Sequence, residues 1–400
     1  MPSTSEMPSR GVRTSDVRQQ NLAAALRLVH LGGPLSRSAL GDSTALTRTA
    51  ISNLVAELIE LELVEEHAPP PSGARGRPSP VVHPRADHNM VVGIDVMVDS
   101  VGAVVSGLGG TVLGEARAAR TGAGDAGASI AQAMRLASTL VDGLPAPPRT
   151  LGIGVAVPGL VAQPSQRVVL APNLGWSDVD IATHVRDIAG HDAFVTVANE
   201  ADLGAIAESR RGTLESAGHV LFVSGEVGVG GGIISAGRLL TGTNGFAGEI
   251  GHIPINPAGT RCSCGATGCF ETELGEAALL DRAGIDGSGR AAVDTLLARA
   301  DRGDARVETA LAEHARWLAF GLSGPLNLLD LDLVVLGGLL GRIFGYIETP
   351  LMAALADRPL IAQRTTPVVA ASLGEQAAAI GAAEFTWDRI IDNLDERVAS

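Results

Sequence analysis

The 400-residue chain contains no lysine; all 30 of its basic residues are arginine. That absence excludes a Schiff-base lysine, a pyridoxal-phosphate enzyme and a Walker-type phosphate loop, each of which needs an amine. Cysteine is scarce, with three residues, and an odd count is wrong for a disulfide framework. No 18-residue apolar run is free of charge: Asp95 and Asp99 interrupt one, Asp330 and Asp332 another. The polar N-terminus lacks the apolar segment of a secretory signal. A cytoplasmic protein without a membrane segment is expected. Basic excess is also missing. The net charge of −14 excludes a wholly basic nucleic-acid coat protein.

What is present is unevenly spread. Residues 1–88 carry 9 Arg against 9 Asp and Glu, and the remainder 21 against 35. A neutral, arginine-bearing head on an acidic body suggests two jobs. Apolar residues make up 46%, enough for a sizeable core.

Residues 1–14, rich in Ser, Pro and Arg, read as a flexible arm. Leu22, Leu26 and Val29 then form a helical stripe that ends at Gly32-Gly33-Pro34. A short helix is predicted over Ser36–Asp42. Thr47 can cap a third helix, whose Ile51, Leu54, Val55 and Leu58 face inward. Leu61–Glu66 reads as a strand, and Val81-Val82 starts its return. Three helices followed by a hairpin outline a winged helix-turn-helix over residues 15–88. Thr47, Arg48, Thr49, Ser52 and Asn53 would then face a major groove. In the hairpin loop, Arg75 and Arg77 flank Gly76, a slim basic tip suited to a minor groove.

From Met90 the pattern becomes α/β. Strands are predicted in VVGIDVMV, TVLGEAR, residues 151–159, both halves of 219–237, and 332–341. Helices are predicted over Ala128–Leu140, Asp294–Leu326 and Glu375–Asn393.

Two clusters carry chemistry. His252, Cys262, Cys264 and Cys269 supply one imidazole and three thiolates, a complete tetrahedral set for a structural zinc ion. Gly265 and Gly268 permit the tight turn between the thiols. With no coordination position left open, a zinc hydrolase is disfavoured. Around this loop lie Glu249 and Glu271, and elsewhere Asn173, Asn199 and Glu200. Carboxylates, amides and an imidazole beside glycine turns suit a polyhydroxylated ligand.

GIGVAVPG, APNLGW, NEADLGAIAE, GVGGGIISAGRLLTGTNGFAGEIGH and the cysteine loop, in this order, resemble the ROK family (repressor, open reading frame, kinase). The likeness spans essentially the whole chain. It implies a body over residues 89–400 with a two-lobed, actin-like sugar-kinase (ribonuclease H-like) fold. One lobe would cover about residues 89–200 with the C-terminal helix, the other about 201–375. It implies sugar contacts from Asn173, Asn199, Glu200, Glu249, His252 and Glu271. It also implies that His252 binds zinc through one ring nitrogen and the sugar through the other.

The family holds both kinases and regulators. Its kinases carry an Asp-x-Gly-Gly-Thr phosphate turn; here the aligned stretch is Asp95-Val96-Met97-Val98-Asp99. Val227 stands where kinases have threonine, beside Glu226. The kinases' catalytic aspartate is replaced by Glu200. These departures favour retained sugar binding without phosphoryl transfer, hence no catalytic residue. The expected protein is a sugar-responsive repressor that binds operator DNA as a homodimer or homotetramer, with a sugar or sugar phosphate as effector. The alternatives are an active sugar kinase bearing a DNA-binding head, and an interaction module that no longer binds sugar.

Overall fold

The computed structural model describes residues 14–68, 80–122, 124–212, 218–358, 360–361 and 366–394. The proposed arm, and Arg75 and Arg77 of the hairpin loop, lie outside the described residues, except that Thr14 already belongs to the first helix. That helix, α1 (Thr14–Gly32), buries Leu22, Leu26 and Val29. The Ser36 hydroxyl caps α2 (Arg37–Thr44) by accepting from the Ala39 N–H. Thr47 caps α3 (Arg48–Glu60) in the same way, and Ile51, Leu54, Val55 and Leu58 turn inward. A three-stranded antiparallel sheet follows, β1 (Leu35–Ser36), β2 (Val64–His67) and β3 (Val81–Pro84), in the order β1-β3-β2. β2 starts later than the predicted Leu61, because Leu61, Glu62 and Leu63 first donate back to carbonyls at the end of α3.

The rest of the chain builds two five-stranded sheets on one plan. The first contains β4 (Asn89–Val96), β5 (Ser100–Gly107), β6 (Val112–Ala119), β7 (Arg149–Val157) and β11 (Val195–Asn199). Between β6 and β7 runs α4 (Ala126–Asp142). Between β7 and β11 run β8 (Leu160–Ala162), β9 (Arg167–Ala171), β10 (Trp176–Val179) and α5 (Ile181–Ala189), the three strands forming a small separate sheet. α6 (Glu200–Arg211) leads to the second sheet: β12 (His219–Gly225), β13 (Val229–Ser235), β14 (Arg238–Leu239), β15 (Leu333–Gly337) and β16 (Val368–Ala370). Its helices are α7 (Phe270–Leu274), α8 (Glu276–Ala283), α9 (Gly289–Ala300), α10 (Ala305–Leu329) and α11 (Gly338–Ala356), and α12 (Ala377–Asp392) closes the chain. The strand orders are β11-β7-β4-β5-β6 and β14-β13-β12-β15-β16. In each sheet the leading strand pairs antiparallel with the next and parallel with a later one.

Two predicted elements change. Asp294–Leu326 is not one helix: Gly303 takes a φ of +70°, and the Asp304 carboxylate accepts the Arg306 and Val307 N–H groups to start α10 afresh. The strand over 332–341 ends at Gly337, and Gly338 opens α11. α11 is the one described helix long and apolar enough to cross a membrane. Its apolar stripe (Leu339, Leu340, Ile343, Ile347, Leu351) is buried in the core beneath the second sheet.

α12 lies across β4 and β7. A Cβ at Gly93 would stand 2.0 Å from the Ala379 carbonyl oxygen, and one at Gly154 2.2 Å from that of Ala382. Those strand glycines exist to admit the helix. The outer face of α12 (Trp387, Ile390, Ile391) shares a single apolar core with α1, α3 and β3.

Candidate functional site: a polar cleft beside a thiolate cluster

A cleft of about 890 Å³ is lined from both five-stranded sheets. Asn173, Asn199, Glu200, Glu249, His252 and Glu271 all line it. Each is placed by a local device. Asn173 sits in a single 3-10 turn opened by Pro172. Asn199 ends β11 and caps α6, accepting from the Ala201 and Asp202 N–H groups while donating to the Gly159 carbonyl. Glu200 is the first residue of that helix. Glu249 and His252 flank a 3-10 turn, and Glu271 lies in α7. A Cβ on Gly228 would meet Glu271 Oε2 at 2.8 Å and Asn173 Nδ2 at 3.2 Å, so only glycine lets these two side chains meet the β12–β13 turn.

The cleft is charged against its surroundings. Burial pushes the Glu200 carboxyl up to about 8, with Glu249 and Glu226 adding repulsion, and among the described residues its Oε2 has no partner. Burial also raises Glu249, although His252 opposes the shift. Asp202, two residues further on, faces a separate pocket rather than the cleft; it is raised by burial and by Glu200 and Glu249, and its Oδ1 has no partner among the described residues. A buried carboxyl with an oxygen left for a partner, in a cleft of this size, fits a ligand rich in hydroxyls.

At one end of the cleft the ligating atoms of His252, Cys262, Cys264 and Cys269 all fall within 4.8 Å of one another. Cys264 and Cys269 sulfurs are 3.6 Å apart, and Cys262 Sγ lies 3.7 Å from His252 Nδ1. Four donors about 2.0–2.3 Å from a common tetrahedral centre stand at about these separations. The loop closes tightly: a Cβ at Gly268 would be 1.6 Å from the Asn256 carbonyl oxygen. Burial and the Glu271 carboxylate, 2.8 Å from Cys262 Sγ, push that thiol up to about 12. A coordinated thiol is instead deprotonated outright, so the donor set suits a divalent cation. His252 points Nδ1 into this cluster and Nε2 toward Glu249, 3.9 Å away.

The other end is formed by the two leading hairpins. Asp95 is fully buried and receives two hydrogen bonds from Arg117, at 2.9 and 2.6 Å. Met97 and Val98 line the cleft, with their side chains packed into the cores below. Opposite them, Glu226 and Val227 form the β12–β13 turn.

On the N-terminal helices, Thr47, Arg48, Thr49 and Asn53 are exposed on α3. Ser52 is half-buried and accepts from Arg37, which is itself held by both oxygens of Glu66. Arg117 is a cleft residue that sequence reasoning did not single out. Nothing local marks it as the partner of Asp95.

Paired α/β sheets of one plan, an open cleft between them and a tetrahedral donor set at its rim define a sugar-kinase-like architecture. The chain belongs to the ROK family, which it matches over residues 91–389. It is 28% identical over 388 residues to the xylose repressor of Bacillus subtilis (strain 168), covering 94% of this chain and 97% of that protein. Among solved structures it is similar to a ROK family transcriptional regulator described as a homolog of E. coli MLC protein. The TM-score is 0.78 at 23% identity, over 96% of this chain and 99% of that one. A ROK family glucokinase from Streptomyces griseus, solved with glucose and AMPPNP, matches 74% of this chain and 98% of its own at TM-score 0.66 and 25% identity.

Proposed function

We propose that the protein is a sugar-responsive transcriptional repressor whose affinity for operator DNA is set by a sugar or sugar phosphate in the cleft. One observation carries this reading: six sugar-type side chains converge on one cleft in a chain that also presents a capped, exposed helix, α3, on an N-terminal three-helix unit. That unit is read as a winged helix-turn-helix, residues 15–88, with the sensing body over residues 89–400. Thr47, Arg48, Thr49, Ser52 and Asn53 would meet base edges and phosphates, with Arg75 and Arg77 at the wing. The likeness to a xylose repressor along nearly its whole length supports this assignment.

His252, Cys262, Cys264 and Cys269 would hold a structural zinc ion. It would fix the ring of His252, leaving Nε2 to hydrogen-bond a sugar hydroxyl. Asn173, Asn199, Glu200, Glu249 and Glu271 would take the remaining hydroxyls. A homodimer or homotetramer would place two α3 helices in successive major grooves.

The glucokinase likeness raises phosphoryl transfer as the alternative. The hairpin chemistry opposes it. Asp95 is consumed by Arg117, bulky Met97 and Val98 take the place of backbone that would wrap a phosphate, and Asp99 and Glu226 add negative charge.

The test is a thermal-shift screen of the full chain with D-xylose, D-glucose and their phosphates, followed by DNA binding with and without any stabilising sugar. A sugar that both raises the melting temperature and changes DNA affinity is expected. Sugar-dependent ATP turnover above background would overturn the reading.

A further inference from the structure

The route from the cleft to the N-terminal helices is written in one stripe of acids. Glu384, Asp388 and Asp392 recur every four residues along α12 and so share one face. Two helices compete for them. From the cleft side, α6 brings Arg211, whose Nε donates to Glu384 Oε1 at 2.7 Å and whose Nη2 reaches Oε2 at 3.1 Å. Its neighbour Arg210 donates to Asp388 at 2.5 Å. From the other side, α1 brings His30, 3.1 Å from Glu384 Oε2, and Arg27, which reaches both Asp388 and Asp392. Glu384 and Asp388 are thus each shared between α6, which starts in the cleft, and α1.

The centre of the joint is buried, while Arg27 and Asp392 lie at its exposed edge. His30 and Glu384 are both 0% exposed. The Gly109 N–H donates to His30 Nδ1, while the other ring nitrogen, Nε2, lies 3.1 Å from Glu384 Oε2 and 3.0 Å from Arg211 Nη2. Arg211 also donates to the backbone carbonyls of His30 and Gly109, tying α1 to the β5–β6 turn. Although burial works against its charge, His30 and Arg211 hold the Glu384 carboxyl at about 2.

α6 is built to carry a displacement along its length. It begins at Asn199 and Glu200, in the cleft, and ends at Arg210 and Arg211, in the joint; at 1.5 Å per residue it spans about 18 Å. Eight of its twelve residues are buried. Its contacts leave no slack: a Cβ at Gly381 would be 1.8 Å from the Leu203 carbonyl oxygen, and one at Gly232 2.5 Å from that of Ala201. A close-packed helix moves as a unit rather than bending.

We propose that the shared acids of α12 are the joint that passes cleft occupancy to α1–α3, with Arg211 as the coupling residue. This rests on the sugar-regulator reading above. A ligand that pulls on Asn199 and Glu200 shifts α6, its arginines change their hold on Glu384 and Asp388, and α1 follows.

The experiment is hydrogen–deuterium exchange on the full chain with saturating D-xylose, D-glucose or their phosphates, on wild type, Arg211→Gln, Arg211→Lys and Arg210→Gln. In wild type, a sugar that protects residues 199–207 should also change exchange in residues 14–60. In Arg211→Gln the change at 14–60 should fall by more than half while protection at 199–207 persists, with Arg211→Lys restoring part of it. Arg210→Gln, at a less buried pair, tests the same joint should Arg211→Gln fail to fold, and it should weaken the response in the same direction. A response at 14–60 undiminished in the folded variants overturns the joint. So does a wild type whose cleft is protected while 14–60 is unmoved. If neither these sugars nor their phosphates protect 199–207, the sugar reading falls and takes this inference with it.

Discussion

The two five-stranded sheets repeat one strand plan, yet their leading hairpins treat an acid in opposite ways. In the first, Asp95 is sealed beneath the surface and receives two hydrogen bonds from Arg117. In the second, Glu226 stands at the cleft wall, where partial burial and then the neighbouring Asp99, Glu276 and Glu375 push it up to about 7, with Arg342 only partly offsetting them. One backbone plan therefore yields an arginine-bonded strut on one side and an acid open to the cleft on the other, although burial raises both carboxyls. The difference lies in partner supply rather than in fold: β6 delivers a bonded arginine to the first acid, whereas among the described residues Arg342 acts on the second only from a distance.

The largest effect should come from breaking the strut. Arg117→Ala leaves a fully buried carboxylate unpaired and should cost about 3–5 kcal/mol in denaturant unfolding. A loss under about 1 kcal/mol would show that the pair is not what holds the first hairpin. Next comes the wall behind the second hairpin. Wild-type protein should carry about one zinc ion per chain by atomic emission. Cys269→Ser should lose at least the 10–100-fold in affinity that even an outer partner of a ligand is worth. Full metal content in that variant would sink the ligand set.

A smaller effect sharpens the contrast in charge. Glu226 is protonated in the fold to a higher pH than in the unfolded chain. Its contribution is present below about 4.5 and is lost as pH rises through about 7. Glu226→Gln should flatten stability over that window, by less than about 1 kcal/mol because the residue faces the open cleft. Urea midpoints at pH 5 and 8 decide it; an unchanged slope assigns the titration elsewhere. The smallest effect on the fold should come from Arg48→Ala, far from both hairpins. It should leave stability within about 0.5 kcal/mol while lowering the salt slope of DNA binding by about one.

Much of this molecule is legible in its sequence. The inward stripe of α3 and its Thr47 cap follow from local spacing, and so does the clustering of three cysteines on a glycine loop. The six cleft residues came from motif order, because each motif sits at an element end that the fold points inward. What was not legible depends on distant partners. Asp95 and Arg117 stand 22 residues apart on strands that are not neighbours, and His30 and Glu384 are separated by 354. No periodicity marks such pairs. The break before α10 was missed for the opposite reason: helix-forming residues on both sides masked a single Gly303 and the capping Asp304.

The continuous core beneath α1 and α3 has an engineering consequence. Trp387, Ile390 and Ile391 belong as much to the N-terminal helices as to the body. Removing residues 1–88 would strip them bare and leave a sticky, aggregation-prone surface. Grafting these helices onto another family member would succeed only if the outer face of α12 travelled with them. The N-terminal three-helix unit is thus less a detachable module than a cap whose lining is sewn into α12.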